Sequence, residues 1–387
     1  MSPAPNAEGP GLVLGVIVPC RNEAPLIERK LRNLVNGRWP FSQRPHQIVV
    51  VDDGSTDGTA ERARELCTQL FAKPSATNRM SVPMITDKVP AAARVIVNGG
   101  PPGKAGAIRA ALQELAAAGP GVDVLVLTDA DVILRPPSLL QLEHAFRTRP
   151  ELGMACGRQE FVRDLLDDGT CRGRDAKEPV GAAEPYDRWT AQVRRRESRK
   201  GRLFSVHGQL LAWRAALGIA PTPGIAADDL DLMFQVRAKG QRVELLEGPT
   251  FLETKPTTRQ ARHEQQLRRA QAYLQVMAGR SAPPGASLGE RLQILGYRRL
   301  PLLLPWLLVP GLVALVALTA ILWMLPTDAG LLVAILRGLL PALLIALLLV
   351  LVSPTGRQLR ELLGVIRQAQ SAERSSPIAD RWERAPR

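Results

Sequence analysis

Aromatic residues are scarce in this 387-residue chain, at 4%. So few stacking surfaces, with no zinc-finger or RNP pattern, argue against nucleic acid as a partner. Cysteine is also sparse: Cys20, Cys67, Cys156 and Cys171 lie far apart with no CxxC between them. Neither a disulfide framework nor a zinc site is indicated, and the thiols are expected to stay reduced in a cytosolic setting. No Gly-x-Gly-x-x-Gly follows the first apolar run, which argues against a dinucleotide-dependent dehydrogenase. The N-terminal segment has no basic region, and its short apolar run ends in charges, so a secretory signal is not expected. Internal repeats are absent. Acidic residues are outnumbered, 37 against 50 basic, giving a net charge of +13 and a pI near 10.3. With nucleic acid set aside, an anionic membrane surface or anionic substrates remain to account for that excess.

What the first 250 residues do contain is an alternation of β-rich runs with helical patterns. Strands are predicted over residues 12–19, 47–53, 93–98, 122–129 and 241–247. The first four are continuous apolar runs, as expected of strands covered on both faces. Between them, residues 25–36 set Ile27, Leu31, Leu34 and Val35 on one helical face, and residues 58–71 repeat the pattern behind Asp57, a candidate N-cap. Residues 104–118 give an Ala-rich third helix. This alternation predicts an α/β domain with a mainly parallel sheet. Residues 74–90 read as an inserted loop, and 163–200 as a charged stretch ending in a basic helix.

Carboxylates cluster where strands should end. "VVVDDGSTDG" supplies Asp52 and Asp53, "LVLTDAD" supplies Asp129 and Asp131, and "GIAADDLDL" supplies Asp228, Asp229 and Asp231 at a loop-to-helix junction. Ligands of open parallel sheets bind beyond the carboxyl ends of the strands. Asp129 and Asp131, with nothing basic beside them in sequence, repel each other, and a divalent metal is the first candidate to relieve that cost. Each cluster alone admits a plainer reading as a turn, a solvated strand end or an acidic helix start. Their joint occurrence in one domain is harder to explain that way.

The last third changes character. Leu300 to Leu325 contains 26 residues without a charge, and a second apolar stretch runs from about Ala329 to Ser353, interrupted by Arg337. Either is long enough to span a hydrocarbon core of about 30 Å. Arg298 and Arg299 precede the first stretch, Arg357 and Arg360 follow the second, and the connector "PTDAG" has no basic residue. The positive-inside rule then puts both flanks in the cytosol. A buried two-helix core hairpin is the plainer alternative, but neither stretch has a polar face. Ahead of the spans lie a basic helical segment (258–280), a Pro/Gly break (281–287) and an amphipathic lead-in to 299. A short helical pattern and a polar end follow Pro354. The predicted organisation is a cytosolic domain over 1–280, an interfacial segment over 281–299, two transmembrane helices over 300–353 and a cytosolic tail over 354–387.

Residues 13–270 resemble the membrane-bound branch of the family-2 glycosyltransferases, which have the GT-A fold. "VIVPCRNEAPLIERKLRNL" is similar to that family's opening strand and helix, "VVVDDGSTDGTAE" to its nucleotide-binding turn, and "GGPPGKAGAIRAAL" to its Gly-Lys segment. "TDADV" resembles its Asp-x-Asp metal motif, and "AADDLDLMFQVRAKGQRV" the segment that supplies its catalytic base. Two departures stand out: Asp228-Asp229 replaces the family's Glu-Asp, and "QQLRR" keeps Gln265 and Arg268 of Gln-x-x-Arg-Trp but has Arg269 where Trp is expected. The second departure tells against polymer-style processivity.

The resemblance implies an inverting transfer from a nucleotide-diphosphate sugar, aided by Mg²⁺ or Mn²⁺, to a lipid-linked or glycan acceptor. It also implies residence in the cell membrane beside other cell-envelope biosynthesis proteins. Asp131 is then the expected metal ligand, with Asp129 nearer the ribose or supporting the ligand from behind. Asp52 and Asp53 meet the base and ribose, Lys104 and Arg268 balance the diphosphate, and Asp229, next to Asp228, is the general base. "FSVHGQLLAWR" stands in the place of the family's acceptor loop, which puts His207 near the acceptor or the leaving phosphate. Two rivals are an inactive membrane scaffold of the same fold and a haloacid-dehalogenase-type phosphatase. The second would want its acidic nucleophile on the first core strand, whereas here an acidic strand end precedes "DAD".

Overall fold

A computed structural model describes residues 11–71, 91–118, 121–162, 164–166, 171–172, 185–254, 258–283, 285–326 and 330–375. The predicted inserted loop and most of the connector lie outside these residues. Among the described residues the chain divides into two compact units, one comprising residues up to 182 with 190–257, the other 183–189 with 258–378.

In the first unit, β1 (Leu14–Cys20), α1 (Ala24–Val35), β2 (His46–Asp52), α2 (Thr59–Phe71), β3 (Ala91–Val97), α3 (Lys104–Ala117) and β4 (Val124–Thr128) follow the predicted alternation. Then come β5 (Ile133–Leu134), α4 (Ser138–Thr148), β6 (Leu152–Val162), β7 (Asp164–Leu165) and β8 (Cys171–Arg172). The unit closes with α5 (Pro185–Arg199, from residue 190 on), β9 (Leu210–Arg214), α6 (Asp228–Ala238) and β10 (Arg242–Thr254). One eight-stranded sheet runs in the order β3-β2-β1-β4-β9-β6-β10-β5. Every residue of β1 and β4 is buried, as their unbroken apolar runs require.

The pairs β1–β2, β2–β3, β1–β4 and β6–β10 are parallel. β9 is antiparallel to both β4 and β6, and β5 to β10, so β9 separates a four-stranded parallel run, β3-β2-β1-β4, from the single parallel pair β6–β10 of a mixed sheet. Sequence reasoning did not anticipate β6 or β9. β6 carries Gly153 and Gly157, weak strand formers, and five-residue β9 lies inside the stretch that stands in the place of the family's acceptor loop.

His46 pins the start of the sheet. Its Nδ1 accepts from Leu14 N at 3.0 Å, so Nε2 carries the proton and donates to the Pro40 carbonyl at 2.9 Å. Trp39 stacks on the ring. Burial pulls the imidazole below its ordinary value, partly offset by the Pro40 bond. At the other end of the sheet, Asp57 serves two helices. Its Oδ1 accepts from Thr59 N at 3.1 Å, and its Oδ2 from Ala24 N at 3.0 Å, at the start of α1. Asp57 thus sits one residue before the cap position of α2, which Gly58 takes by accepting from Arg62 N.

The second unit is helical: α7 (Arg259–Ala278), α8 (Leu288–Met324), α9 (Leu331–Val352) and α10 (Pro354–Ser375). Thr258 and Ser287 cap α7 and α8 through their hydroxyls. The basic segment expected within the first domain is therefore α7 of this unit, where it packs on α10. The expected interfacial lead-in is continuous with the first span as a single 37-residue helix.

α8 contains Pro301, Pro305 and Pro310, each lacking the N–H that would serve the carbonyl four residues back. Two of the carbonyls left over find other donors. Tyr273 OH donates to the Tyr297 carbonyl at 2.6 Å, and Gln370 Nε2 to the Pro301 carbonyl at 3.3 Å. Helices α8 and α9 are long and apolar enough to cross a membrane, and almost none of their most apolar windows is buried inside the protein. That exposure contradicts the buried-hairpin alternative. Arg337 of α9 donates to the carbonyls of Leu322, Leu325 and Pro326, so the lone charge in the second span is spent on the C-terminal end of α8.

Candidate active site

β1, β2 and β4 run parallel, so their carboxyl ends share one edge of the first unit, and the strand order reverses at β1. Asp52 ends β2 and is buried; its Oδ2 accepts from Ser55 N at 3.1 Å, while its Oδ1 has no hydrogen-bond partner among the described residues. Asp53 is committed to protein donors. Its Oδ1 accepts from Asn98 Nδ2 at 2.6 Å, its Oδ2 from Gly103 N at 2.8 Å, and Arg21 lies 3.7 Å away.

The Gly-Lys segment reaches both acidic strand ends. Gly103 has φ of 112°, open to glycine, and this turns its N–H toward Asp53. A Cβ on Gly106 would come within 1.8 Å of the Pro101 carbonyl, so only glycine lets α3 start so close to that loop. The next residue after Gly103, Lys104, places Nζ 2.7 Å from Asp129 Oδ1 and 3.9 Å from Asp228 Oδ2. Burial works against its charge, but Asp129 and Asp228 outweigh that and hold the ammonium above its ordinary value. Burial pushes the Asp129 carboxyl up, Lys104 opposes the rise, and Asp131 adds to it.

The "DAD" turn therefore has cations beside it that the sequence did not reveal. Lys104 lies on one side. Lys30, fully buried in α1, lies behind, donating to Thr128 Oγ1 at 2.6 Å and to the Val132 carbonyl at 3.1 Å. Burial pulls the Lys30 ammonium down to about 7, with Asp129 and Asp131 opposing the fall. The mutual repulsion of the two aspartates is thus answered in part by lysines. A lysine three residues after Ile27, beside the apolar stripe of α1, was the available sign of it.

The three aspartates of α6 have separate surroundings. Asp231 Oδ2 accepts from Thr222 N at 2.7 Å and Gln235 Nε2 at 2.9 Å, tying the preceding loop to the helix. Asp228 faces Lys104. Asp229 accepts from Leu230 N at 2.7 Å and from Gly208 N at 3.2 Å, which joins the helix start to the segment leading into β9. His207, the preceding residue, sets its ring edge-on to Phe251, 5.6 Å between centroids. Asp52, Asp53, Lys104, Asp129, Asp131, His207, Asp228 and Asp229 all belong to the first unit, and Gln265 and Arg268 to α7 of the second.

Among the described residues, no group of three or more His, Cys, Asp or Glu is placed to hold a metal ion. An ion such as Mg²⁺ needs no such group, since it binds through one or two carboxylates and takes substrate phosphates and water for the rest. Asp131, a hard oxygen donor at a partly exposed turn beside Asp129, fits such an ion.

A profile described as "Glycosyltransferase like family 2" matches residues 10–272. Succinoglycan biosynthesis protein ExoA of Rhizobium meliloti (strain 1021) is 43% identical over 54 residues, a span of 14% of this chain and 16% of that protein. The structure of the mannosyltransferase PcManGT from Pyrobaculum calidifontis, in complex with GDP-Man and Mn²⁺, aligns with a TM-score of 0.61 at 23% identity. That alignment covers 96% of this chain and 90% of the other, so the two share the GT-A fold. With more than half its length matched, and with acidic strand ends, Gly-Lys turn and acidic helix start converging in the first unit, the chain belongs to the glycosyltransferase-like family 2.

Proposed function

We propose that this glycosyltransferase is membrane-anchored and inverting, and that it moves a sugar from a nucleotide-diphosphate sugar to a hydroxyl of a lipid-linked or polysaccharide acceptor. The observation that carries the reading is the reach of Lys104. One ammonium contacts the end of β4 through Asp129 and the start of α6 through Asp228, next to Asp229. Donor-side and acceptor-side chemistry then share a single centre.

In this reading Asp52 meets the nucleotide through its unpartnered oxygen, and Asp53 supports it by fixing Gly103. Asp131 would hold a divalent cation, which when bound supplies positive charge to the diphosphate leaving group, with Asp129 beside it nearer the ribose. Lys104 adds to that charge, with Arg268 as a further candidate. Asp229 takes the proton from the acceptor hydroxyl as it attacks the anomeric carbon from the face opposite the leaving group. His207 and Gln265 are assigned to substrate contacts. The GDP-Man and Mn²⁺ bound to the mannosyltransferase, and the succinoglycan pathway named for ExoA, lend support to this substrate class.

The test is a screen of radiolabelled nucleotide sugars against detergent-solubilised membranes holding the wild-type chain or Asp131→Ala. Transfer that requires Mg²⁺ or Mn²⁺ and disappears in the variant is expected. Undiminished turnover by the variant would remove the metal assignment, and loss of phosphate from a simple sugar phosphate would favour the phosphatase.

A further inference from the structure

Helix α1 turns three polar side chains inward. Arg29, Lys30 and Asn33 are only 7%, 0% and 4% exposed. Their hydrogen bonds converge on the segment Thr128–Leu134. Lys30 Nζ donates to Thr128 Oγ1 and the Val132 carbonyl, and Arg29 Nη2 to the Asp131 carbonyl at 3.4 Å. Asn33 Nδ2 donates to the Leu134 carbonyl while its Oδ1 accepts from Leu134 N, each at 2.8 Å. Arg29 also reaches the Leu165 carbonyl at 3.4 Å.

Thr128 is the residue before Asp129, and Val132 is the residue after Asp131. A single ammonium therefore grips the Asp129-Ala130-Asp131 turn at both ends. Burying a lysine is costly before its partners are counted. A helix that needed only to cover the sheet would be cheaper with leucine or methionine there. The cost is concentrated under the one turn that carries the acidic pair.

We propose that Lys30 is a positioning residue that holds Asp129 and Asp131 at the spacing at which a divalent cation and a nucleotide diphosphate are bound together. Asn33 and Arg29 extend the same clamp. The inference rests on the assignment of Asp131 as metal ligand, and the variants below separate the two.

The measurement is Mn²⁺ binding by the full-length protein in detergent with UDP or GDP present, followed by the electron paramagnetic resonance of free Mn²⁺. Thermal midpoints are recorded for each variant. Lys30→Met should weaken Mn²⁺ binding roughly 10–100-fold, the usual effect of removing a group that orients a ligand. Thr128→Val, which keeps the shape of the side chain but removes one acceptor, should weaken it by a smaller factor. A purely structural role would lower the midpoint and leave the Mn²⁺ affinity of the folded protein unchanged. Wild-type Mn²⁺ affinity in folded Lys30→Met overturns the clamp. Should that variant not fold, wild-type affinity in both Thr128→Val and Asn33→Ala overturns it equally. Wild-type affinity in Asp131→Ala would instead remove the underlying metal assignment.

Discussion

Lys104 Nζ lies 2.7 Å from Asp129 Oδ1, and this ion pair joins the first residue of α3 to the turn beyond β4. Burial already raises the Asp129 carboxyl, and Lys104 is the largest force against that rise. In Lys104→Met the folded state should therefore hold a proton on Asp129 more tightly than the unfolded chain does. A carboxyl raised in the folded state gains stability as pH falls through its folded value. The variant should melt well below wild type at pH 8, and the gap should narrow toward pH 5. A constant gap across that range would show that Lys104 acts through packing alone.

Asp229 accepts two backbone bonds, from Leu230 N and Gly208 N. Asparagine can keep one of them but cannot take a proton. Asp229→Asn should preserve donor binding while turnover falls by ~10²–10⁴-fold, the usual worth of a positioned general base. Isothermal titration with the donor, beside initial rates, separates the two effects. A loss of donor affinity as steep as the loss of rate would make Asp229 a binding residue.

The strands that carry the site were legible in sequence because β1 and β4 are buried on both faces and written in unbroken apolar residues. The division of labour among the aspartates was not. Asp52 and Asp53 are adjacent, yet the second is committed to Asn98 and Gly103, some fifty residues away, while one oxygen of the first has no partner among the described residues. Asp231 looks like its neighbours in sequence but is tied to Thr222 and Gln235. Lys30 reads as a solvated lysine until α1 is folded against residues about a hundred positions later. Strands β6 and β9 were missed because glycine and short length hid them, and with β9 went the antiparallel centre of the sheet. Local pattern reveals burial; it does not reveal which distant donor a carboxylate will meet.

In the helical unit, Tyr273 OH supplies the bond that Pro301 cannot give to the Tyr297 carbonyl. Burial pushes the phenol well above its usual range, so it remains a donor at any working pH. Tyr273→Phe should destabilise this unit by about 1 kcal/mol, the usual cost of a part-buried acceptor left without its donor. In a Pro301→Ala background, the new backbone N–H at position 301 serves the same carbonyl, and the cost of Tyr273→Phe should shrink toward zero. Equal costs in both backgrounds, measured by thermal melting in detergent, would show that the hydroxyl does not compensate the proline.

His46 predicts an acid-side weakness. Its imidazole is neutral, buried and held by two bonds, and its folded value is depressed below the ordinary 6.5. The unfolded chain therefore binds the proton more readily, so the contribution is full above the unfolded value and is lost as pH falls toward the folded one. Between pH 6.5 and 5.5 this one group can remove at most about 1.4 kcal/mol. His46→Gln should start from a lower midpoint at pH 7.5 but lose less of it by pH 5.5. Parallel losses would assign the acid sensitivity to other groups.

Arg337 sits two turns into α9, and its guanidinium is bonded to the carbonyls of Leu322, Leu325 and Pro326 at the far end of α8. A charge at that depth is costly in hydrocarbon unless it is paired or reaches an interface. Binding the last carbonyls of α8 gives the guanidinium partners and caps the helix. Arg298 and Arg299 precede the first candidate span, and Arg357 and Arg360 follow the second, and the positive-inside rule predicts that this boundary faces the cytosol. The predicted arrangement has only the connector outside and the basic α7 segment toward anionic lipid. A cysteine introduced at Thr327 should react with an impermeant thiol reagent added to intact cells, and one introduced at Ser375 should react only after the membrane is opened. Labelling of the Ser375 position from outside would mean that α9 does not cross, and Arg337 would then cap a helix end lying on the cytosolic side.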